Sequence, residues 1–385
     1  MTTGGDLASV RSVTMCRDPR QFEALREEWG RLHRHCRTAT PFQSHSWLHS
    51  WWASYGRTGR LRVLLVRKDG ELIGAAPLML AHRPLPVLVP LGGEITDFSD
   101  VLLDDHATEA AVTAMAVGLR QAARGALIDL REVRPGAAAE RLYDSWRGPK
   151  RRLKDSVCME LPGVPLPELI TRMSTSRGQR TRSYVRKLDA LGIEERVVPV
   201  HEVPTAVENL LRLHILQWEG RGVTPEHARP RFAAHLKRAG QHMVSGGDAV
   251  ITEYRLNGEV LASDLKLLSP RLVGGYLFGA DPRLRATKAD LTTMLIRNGA
   301  GHATASGGGG ALSLLRGNEA NKLPWCPDLV ANQRLLMTSP LFAPALLLQL
   351  ARTALRDRAA AVVRRHLPAV RAWRSRLNTW RAKRV

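Results

Sequence analysis

The sequence predicts an α/β fold that consists of two tandem modules followed by a basic helical tail. Three observations predict it: each half places helices before a β-hairpin, the hairpins centre on Asp69-Gly70 and Asn257-Gly258, and residues around these turns match between the halves. Asp-Gly and Asn-Gly between β-rich runs favour a type I′ turn, in which both central residues take a positive φ. We therefore expect mixed, largely antiparallel sheets flanked by helices.

The first half contains the full set of elements that one such module needs. Apolar residues recur at helical spacing in two early segments, and Ser44 or Ser46 can cap the second of them. Two β-rich runs flank Asp69-Gly70. The predicted elements are helices over 22–32 and 47–55, strands over 62–66 and 72–80, a helix over 107–123 and a strand over 126–133.

The second half repeats this order. Four residues within 67–71 match residues within 255–259 at an offset of 188: Arg67, Asp69, Gly70 and Glu71 with Arg255, Asn257, Gly258 and Glu259. Four within 126–131 match residues within 311–316 at an offset of 185: Ala126, Leu127, Leu130 and Arg131 with Ala311, Leu312, Leu315 and Arg316. Two matches in the same order, at nearly one offset, indicate an internal duplication. The predicted elements are helices over 205–220 and near Phe232, strands over 250–256, 260–267 and 272–279, a helix over 288–300 and a strand over 311–315. We place the modules at 1–150 and 155–335, and the basic tail at 336–385.

The positive charge of the chain is concentrated in two segments. The chain has 57 Lys and Arg against 36 Asp and Glu, which gives a formal net charge of +21. Residues 351–385 carry 11 basic residues against one acidic residue, and residues 147–187 carry 11 against three. Such patches attract phosphate-rich ligands, RNA or an acidic membrane surface, although solvated helix faces have the same composition.

Cysteine usage and hydropathy exclude several classes of protein. The four cysteines are far apart and form no C-x-x-C pair, so the sequence supports neither a zinc site nor any other metal site. The first 14 residues contain no apolar core of a secretion signal, and no run reaches the roughly 20 apolar residues of a membrane span. We therefore expect a cytoplasmic protein with reduced thiols, in peripheral contact with a membrane at most.

Four short stretches resemble one known family. They are Pro41-Phe42-Gln43-Ser44 with Trp47 and Trp51-Trp52; Asp97-Phe98-Ser99-Asp100; Leu213-His214 to Trp218, with Gln217 where the family has Arg; and Leu315-Arg316-Gly317 with Glu319, Lys322 and Trp325, with Asn321 where the family has Tyr. Together they resemble the CelD-like acetyltransferase branch linked to bacterial cellulose biosynthesis. That branch belongs to the GNAT superfamily and is related to the Fem-type tandem GNAT transferases. The resemblance covers about residues 20–330.

The resemblance implies a direct transfer reaction. A GNAT-type enzyme binds acetyl-CoA or another acyl-CoA and lets an acceptor amine or hydroxyl attack the acyl carbon, without a metal. The donor is expected at the segment Thr287-Lys288-Ala289, which stands where the related branch has Ser-Pro-Gly. We expect Thr287 to cap the following helix and Lys288 to pair with a phosphate.

Residues near the end of the resemblance are the catalytic candidates. Glu319 can act as the base, Arg316 lies beside it in sequence, and Lys322 can hold a carboxylate or phosphate of the substrate. The same three residues can equally form an ion-pair lattice that ties the last strand to its module.

Five further residues are candidates for binding the acceptor, a small molecule or an envelope sugar. Asp97, Asp100 and Asp281 can orient an amine or a sugar hydroxyl, while His214 and Trp218 share one helical face. The structural alternative is that the aspartates belong to turns and that the histidine and tryptophan belong to the core.

Two other functions stay open. An aminoacyl-tRNA-dependent transferase of the Fem type would use the basic segment 147–187 and the tail to bind tRNA. A non-catalytic scaffold of exopolysaccharide synthesis would instead contact an anionic membrane through the tail, where leucines and tryptophans alternate with arginines.

Overall fold

The computed structural model describes residues 10–220, 222–305, 310–317, 319 and 322–366. The described chain divides into two compact units. The first contains the residues up to Ser156 together with 331–366, and the second contains residues 157–330. The part of the predicted tail over 336–366 therefore belongs to the first unit, and residues 367–385 lie outside the described residues.

Thirteen strands and twelve α-helices occupy the described residues. The strands are β1 (Val10–Cys16), β2 (Leu61–Lys68), β3 (Glu71–His82), β4 (Pro86–Pro90), β5 (Leu102–Leu103), β6 (Leu127–Val133), β7 (Lys150–Pro162), β8 (Glu194–Val197), β9 (Ala249–Leu256), β10 (Glu259–Ser269), β11 (Leu272–Ala280), β12 (Ala311–Arg316) and β13 (Asp328–Met337). The helices are α1 (Pro19–Ala24), α2 (Arg26–His35), α3 (His45–Tyr55), α4 (Thr108–Ala122), α5 (Ala138–Ser145), α6 (Leu166–Thr171), α7 (Thr175–Ala190), α8 (Val203–Trp218), α9 (Pro230–Gly246), α10 (Arg283–Ala286), α11 (Leu291–Ala305) and α12 (Ala343–His366).

The two units repeat one strand order. In the first unit the order is β1-β2-β3-β4-β6-β13, and in the second it is β8-β9-β10-β11-β12-β7. Pairing is antiparallel within these series except at β4–β6 and β11–β12, which are parallel. The predicted α/β class, with tandem modules and mixed, largely antiparallel sheets, is confirmed.

Both predicted hairpin turns have the expected backbone. Asp69 and Gly70 have φ values of 51° and 85°, and Asn257 and Gly258 have values of 53° and 81°. Two consecutive positive φ angles define the type I′ turn, whose twist matches that of the flanking strands. The turns fix the register of β2 with β3 and of β9 with β10.

The helices of the first half follow the prediction with one difference. Ser44 caps α3, because its Oγ accepts a hydrogen bond from the backbone N–H of Trp47 at 3.3 Å. The single helix predicted over 22–32 is two helices, which end and begin on either side of Leu25. No helix among the described residues is long and apolar enough to cross a membrane.

Helices pack on both faces of the sheet in the second unit. Leu188 of α7, Tyr254 of β9 and Met294 of α11 share one apolar cluster. The opposite face of β11 is in direct contact with α8 at Gly279, whose Cα has no room for a side chain. The end of α8 and the start of α11 consequently lie beside β11, where the site is found.

Candidate functional site

A cavity lies where two parallel strands of the second unit stop pairing. Strands β11 and β12 are in register only over 272–274 and 311–313. Beyond these residues a cavity of about 350 Å³ lies between them. Its walls contain Gln217, Trp218, Asp264, Lys266, Gly275, Leu277, Phe278, Leu291, Thr292, Leu295, Ile296, Leu312, Ser313, Leu314 and Lys322.

A bulge shapes the β11 wall of this cavity. The register between β10 and β11 shifts so that Leu265 pairs with Leu277 and Lys266 pairs with Gly275. Tyr276 is the extra residue. A bulge redirects the side chains that follow it and increases the local twist. The bulge follows directly after Gly274, the last residue of β11 that pairs with β12 through Ser313.

A second, smaller cavity adjoins the first. It measures about 260 Å³ and lies at the end of β11, against the loop that leads to α11. Gln217 and Leu291 belong to the walls of both cavities. Glu219, Asp281 and Arg285 make the smaller cavity more polar at its rim.

The predicted donor segment lies at this smaller cavity, but its geometry differs from the expectation. Ala289 belongs to the wall, while Lys288 is exposed and has a φ of 59°. Thr287 donates from Oγ1 to the carbonyl of Leu284 at 2.7 Å, which closes the short helix α10. Thr287 therefore does not cap the next helix, and the prediction that it does so was wrong.

Helix α11 begins three residues later than predicted. Asp290 caps it, because its Oδ2 accepts a hydrogen bond from the backbone N–H of Thr293 at 2.8 Å. The left-handed backbone of Lys288 prevents an earlier start, since a helix requires negative φ at every residue. The cap also places a carboxylate at the helix N-terminus, where an anionic ligand would otherwise meet free N–H groups.

The predicted catalytic residues lie at the other side of the larger cavity. Lys322 belongs to its wall, and its Nζ lies 2.7 Å from Oε2 of Glu319 and donates to the carbonyl of Arg316 at 3.2 Å. The side chain of Lys322 is 17% exposed and that of Glu319 is 54% exposed. The lysine thus faces the cavity, and the glutamate supports it from the solvent side.

Gly317 makes this arrangement possible. Its φ is 112°, and a Cβ at this position would lie 2.4 Å from Oε1 of Glu319. Only glycine combines such a backbone with so close an approach of the carboxylate.

His214 fixes the wall of the larger cavity. Its Nδ1 lies 2.7 Å from the carbonyl of Phe278, so this nitrogen carries the proton and donates. Its Nε2 then accepts from Nδ1 of His227 at 3.0 Å. Burial lowers the pKa of both histidines, that of His227 to about 4, with the neighbouring His214 as a second cause. Both rings are therefore neutral at pH 7.

The neutral state of His227 predicts a pH dependence of stability. Its pKa is about 4 in the folded protein and near 6.5 in an unfolded chain, so the unfolded chain binds more protons between these values. Stability should fall as the pH drops from 6.5 to 4, by up to roughly 3 kcal/mol from this group, and stay constant above 6.5. Urea unfolding should show that the free energy of unfolding of wild type exceeds that of His227→Gln by an amount that shrinks as the pH falls from 6.5 to 4. The exposed His201→Gln is the control, and a difference that does not change with pH would contradict the assignment.

Trp218 and Asp281 are at the two cavities as well. Trp218 belongs to the wall of the larger one. Asp281 belongs to the wall of the smaller one and accepts hydrogen bonds from Arg283, at 2.8 Å from its backbone N–H and 3.1 Å from its Nε. These bonds to Arg283 lower the pKa of Asp281.

Asp97 and Asp100 belong to the first unit, whereas the residues that line both cavities belong to the second. Asp100 is buried and accepts hydrogen bonds from the backbone N–H groups of Ala138 and Ala139, at 3.0 and 2.7 Å. It therefore caps α5. The structure gives Asp100 a structural role, and Asp97 lies three residues before it, partly buried.

Sequence reasoning missed a buried charged pair in the wall of the larger cavity. Lys266 donates from Nζ to Oδ2 of Asp264, and the Tyr254 hydroxyl donates to the same oxygen at 3.1 Å. Both charged residues are less than 5% exposed. Burial raises the pKa of Asp264, against the opposing effect of Lys266. The available signal was two charges at alternate positions in the middle of a strand, which places both on one face.

No group of three or more His, Cys, Asp or Glu side chains that could hold a metal ion occurs within the described ranges. The wall of the larger cavity brings together two lysines, Lys266 and Lys322, and the buried carboxylate of Asp264.

Comparison with known proteins identifies the second unit. Residues 175–323 match the family model of an acetyltransferase (GNAT) domain, and no curated protein matches the chain. Three solved structures share the fold. The structure of FemX has 11% sequence identity and a TM-score of 0.59, over 86% of this chain and 99% of that chain.

The other two structures also cover most of this chain. The C-terminal domain of a putative lysylphosphatidylglycerol synthetase from Agrobacterium fabrum has 11% identity and a TM-score of 0.53, over 90% of this chain and 97% of its own. L-PGS from Bacillus licheniformis has 13% identity and a TM-score of 0.50, over 89% of this chain and 98% of that chain. At such low identity these structures show the fold, whereas the family match identifies the domain. The chain thus carries a domain of the GNAT acetyltransferase superfamily and is a GNAT-type N-acyltransferase.

Proposed function

We propose that the protein transfers an acyl group from an acyl-CoA, acetyl-CoA in the simplest case, to an amine of a small molecule or an envelope sugar. The observation that carries this proposal is the cavity at which β11 and β12 diverge, inside the residues that match the GNAT domain. A strand edge without a partner can bind an extended ligand through its own N–H and C=O groups.

The donor would lie along this edge, with its phosphates at the smaller cavity. Arg285 belongs to that wall and is exposed, so it can pair with a phosphate, as can Lys288 in the adjoining loop. Ala289 is small enough to leave the loop backbone accessible. The acyl end would then lie in the larger cavity, beside Lys322.

Lys322 would stabilise the negative charge that develops on the acyl oxygen during attack. Its ammonium is held at the cavity by Glu319 and by the carbonyl of Arg316. A preorganised cation at a developing oxyanion contributes most to catalysis when it is largely shielded from water. We assign Glu319 to positioning Lys322, because its carboxylate is half exposed.

Removal of Lys322 should therefore reduce the rate and not the binding of the donor. We expect Lys322→Met to lower kcat by about 10²–10³-fold. Glu319→Gln should have a smaller effect, because the carbonyl of Arg316 still holds the lysine. The measurement is thiol release from acetyl-CoA with a panel of primary amines, with Asp328→Asn as a surface control in the same unit. Equal rates for wild type and Lys322→Met would contradict this role.

Two of the family-like stretches contribute to the cavity. Trp218 comes from one and Lys322 from another, and His214 of the first stretch bonds to the carbonyl of Phe278 in the wall. This supports assignment to the CelD-like branch as part of the proposal.

A second candidate donor is an aminoacyl-tRNA. Asp290 caps α11 with a carboxylate, and the loop over 285–290 contains no glycine, which disfavours a pyrophosphate at this helix N-terminus. Helix α7 also exposes five basic side chains to solvent. These are Arg177, Arg180, Arg182, Arg186 and Lys187.

The two donors are distinguished by binding experiments at fixed salt. Saturable binding of acetyl-CoA, weakened in Arg285→Ala, supports the CoA donor. Binding of charged tRNA that weakens in an Arg180→Ala/Lys187→Ala variant, without binding of acetyl-CoA, supports the second candidate.

Peripheral contact with an anionic membrane is proposed for α12. This helix exposes Leu347, Leu355 and Val362 together with the basic residues Arg356 and Arg358. Exposed leucines beside arginines suit an anionic lipid surface. Flotation with anionic liposomes should weaken when Leu347 and Leu355 are replaced by Gln, and unchanged flotation would contradict the contact and the scaffold role that depends on it.

A further inference from the structure

We infer that Asp264 binds the ammonium group of the acceptor in the larger cavity and accepts its proton before the acyl group is transferred. The inference rests on the proposed function for the transfer step. The binding of an ammonium group is tested separately from it.

Three residues of the cavity wall each have a polar side-chain atom without a hydrogen-bond partner among the described residues. These atoms are Oδ1 of Asp264, Oε1 of Gln217 and Nε1 of Trp218, all of which are buried. Buried polar groups in native proteins are almost always hydrogen-bonded, and the exceptions require an explanation. Three exceptions around one cavity are explained if a ligand supplies the missing bonds.

The unpartnered atoms indicate the chemistry of that ligand. Two of them accept hydrogen bonds and one donates. An ammonium group has three N–H donors, so it can bond to Asp264 and Gln217 together, while a carbonyl or hydroxyl of the same molecule accepts from Trp218. An alcohol has one O–H donor and no charge, so it would leave one acceptor unpaired. The wall therefore discriminates for amines.

The two carboxylate oxygens of Asp264 have different surroundings, and this difference lets one of them act as the base. Lys266 and Tyr254 both donate to Oδ2, which leaves Oδ1 for the ligand. The charged and titratable groups around it are Lys266 on β10, Tyr254 on β9, His302 on α11 and Lys322 after β12. Burial raises the pKa of Asp264, which makes the carboxylate a better proton acceptor.

The proposed step balances in protons and bonds. The acceptor ammonium gives one proton to Oδ1 of Asp264 and becomes a neutral amine. Its nitrogen attacks the acyl carbon, a C–N bond forms, and the C–S bond of the thioester breaks. The sulfur leaves with the second proton from the attacking nitrogen, so the products are an amide, a free thiol and a protonated Asp264, which returns its proton to water.

The test measures binding of a small probe by ligand-observed saturation-transfer NMR. The probes are n-butylammonium and n-butanol, at pH 7 and fixed salt, with the full chain. We expect saturable binding of n-butylammonium to wild type, at least about tenfold weaker binding to Asp264→Asn, and no saturable binding of n-butanol. Asp328→Asn, which removes an exposed carboxylate of the same unit, should bind as wild type does.

Because Asp264→Asn leaves Lys266 without its partner, a second variant keeps the test valid if the first does not fold. Gln217→Leu removes the other acceptor from a partly exposed position and should weaken n-butylammonium binding severalfold. The inference is overturned if folded variants at both positions bind n-butylammonium as wild type does, or if n-butanol binds equally well.

The same samples are titrated with acetyl-CoA, so that failure of the donor proposal is seen separately. Loss of n-butylammonium binding in Asp264→Asn, with no binding of acetyl-CoA to wild type, would support the ammonium site and contradict the CoA donor. Binding of acetyl-CoA without binding of n-butylammonium would support the donor and overturn the inference.

Discussion

Replacing Gly279 with Ala is expected to lower the free energy of unfolding by about 3 kcal/mol or more. A Cβ at this position would lie 2.2 Å from the backbone nitrogen of His214 and 2.6 Å from the carbonyl carbon of Leu213. Both are backbone atoms of α8, so the clash can be relieved only by moving the helix. The same helix carries Gln217 and Trp218 at its end, and activity should therefore be lost together with stability.

Gly275→Ala is the matched control for this prediction. It lies in the same strand, and a Cβ there would have no atom within 4 Å. Urea unfolding should place it within about 0.5 kcal/mol of wild type. A Gly279→Ala variant as stable as Gly275→Ala would contradict the direct packing of α8 on β11.

Replacing Lys266 with Met is expected to cost about 3–5 kcal/mol, because Asp264 would remain as a buried charge without its cation. The lysine and the aspartate are both less than 5% exposed, and Lys266 donates directly to Oδ2 of Asp264. The cost should grow with pH. The pKa of Asp264 is higher in the folded protein than in the unfolded chain, where it is near 4. Ionisation of Asp264 therefore opposes folding more strongly as the pH rises above about 4.

Two comparisons test the pair. Lys322→Met removes a more accessible lysine whose partner Glu319 is half exposed, and it should cost less than about 1 kcal/mol. The double variant Asp264→Asn/Lys266→Met should be more stable than Lys266→Met alone, since it removes the charge as well as its partner. If the single variant is as stable as the double variant at pH 8, the pair does not stabilise the fold in this way.

Local signals in the sequence predict the hairpins and the helices that follow the apolar pattern. Asp69-Gly70 and Asn257-Gly258 specify their turns through two residues, so no distant contact is needed to predict them. The pairing of β7 with β12 depends instead on contacts between residues about 155 apart, such as Cys158 with Arg316. The charged start of β7 also resembles a basic surface segment, and its β-structure was not predicted.

Parts of the candidate cavity wall could be predicted where a residue type is typical of a family stretch. His214, Trp218 and Lys322 were predicted from the resemblance, and the structure places the last two in one wall. Asp264 and Lys266 were not, because each is ordinary in sequence and becomes unusual only when burial removes both from water. Thr287 was predicted as a cap because local sequence cannot show that Lys288 takes a left-handed backbone.

The central claim is that the cavity between the diverging ends of β11 and β12 binds the acyl donor. Gly275 lies in its wall with open space above it, and its cross-strand partner Lys266 lies in the same wall. A side chain at this position would therefore fill the cavity without disturbing the core. Calorimetric titration with acetyl-CoA should show saturable binding to wild type and at least about tenfold weaker binding to a Gly275→Val variant of unchanged stability. Absence of binding to wild type, or equal binding to both proteins, would contradict the claim.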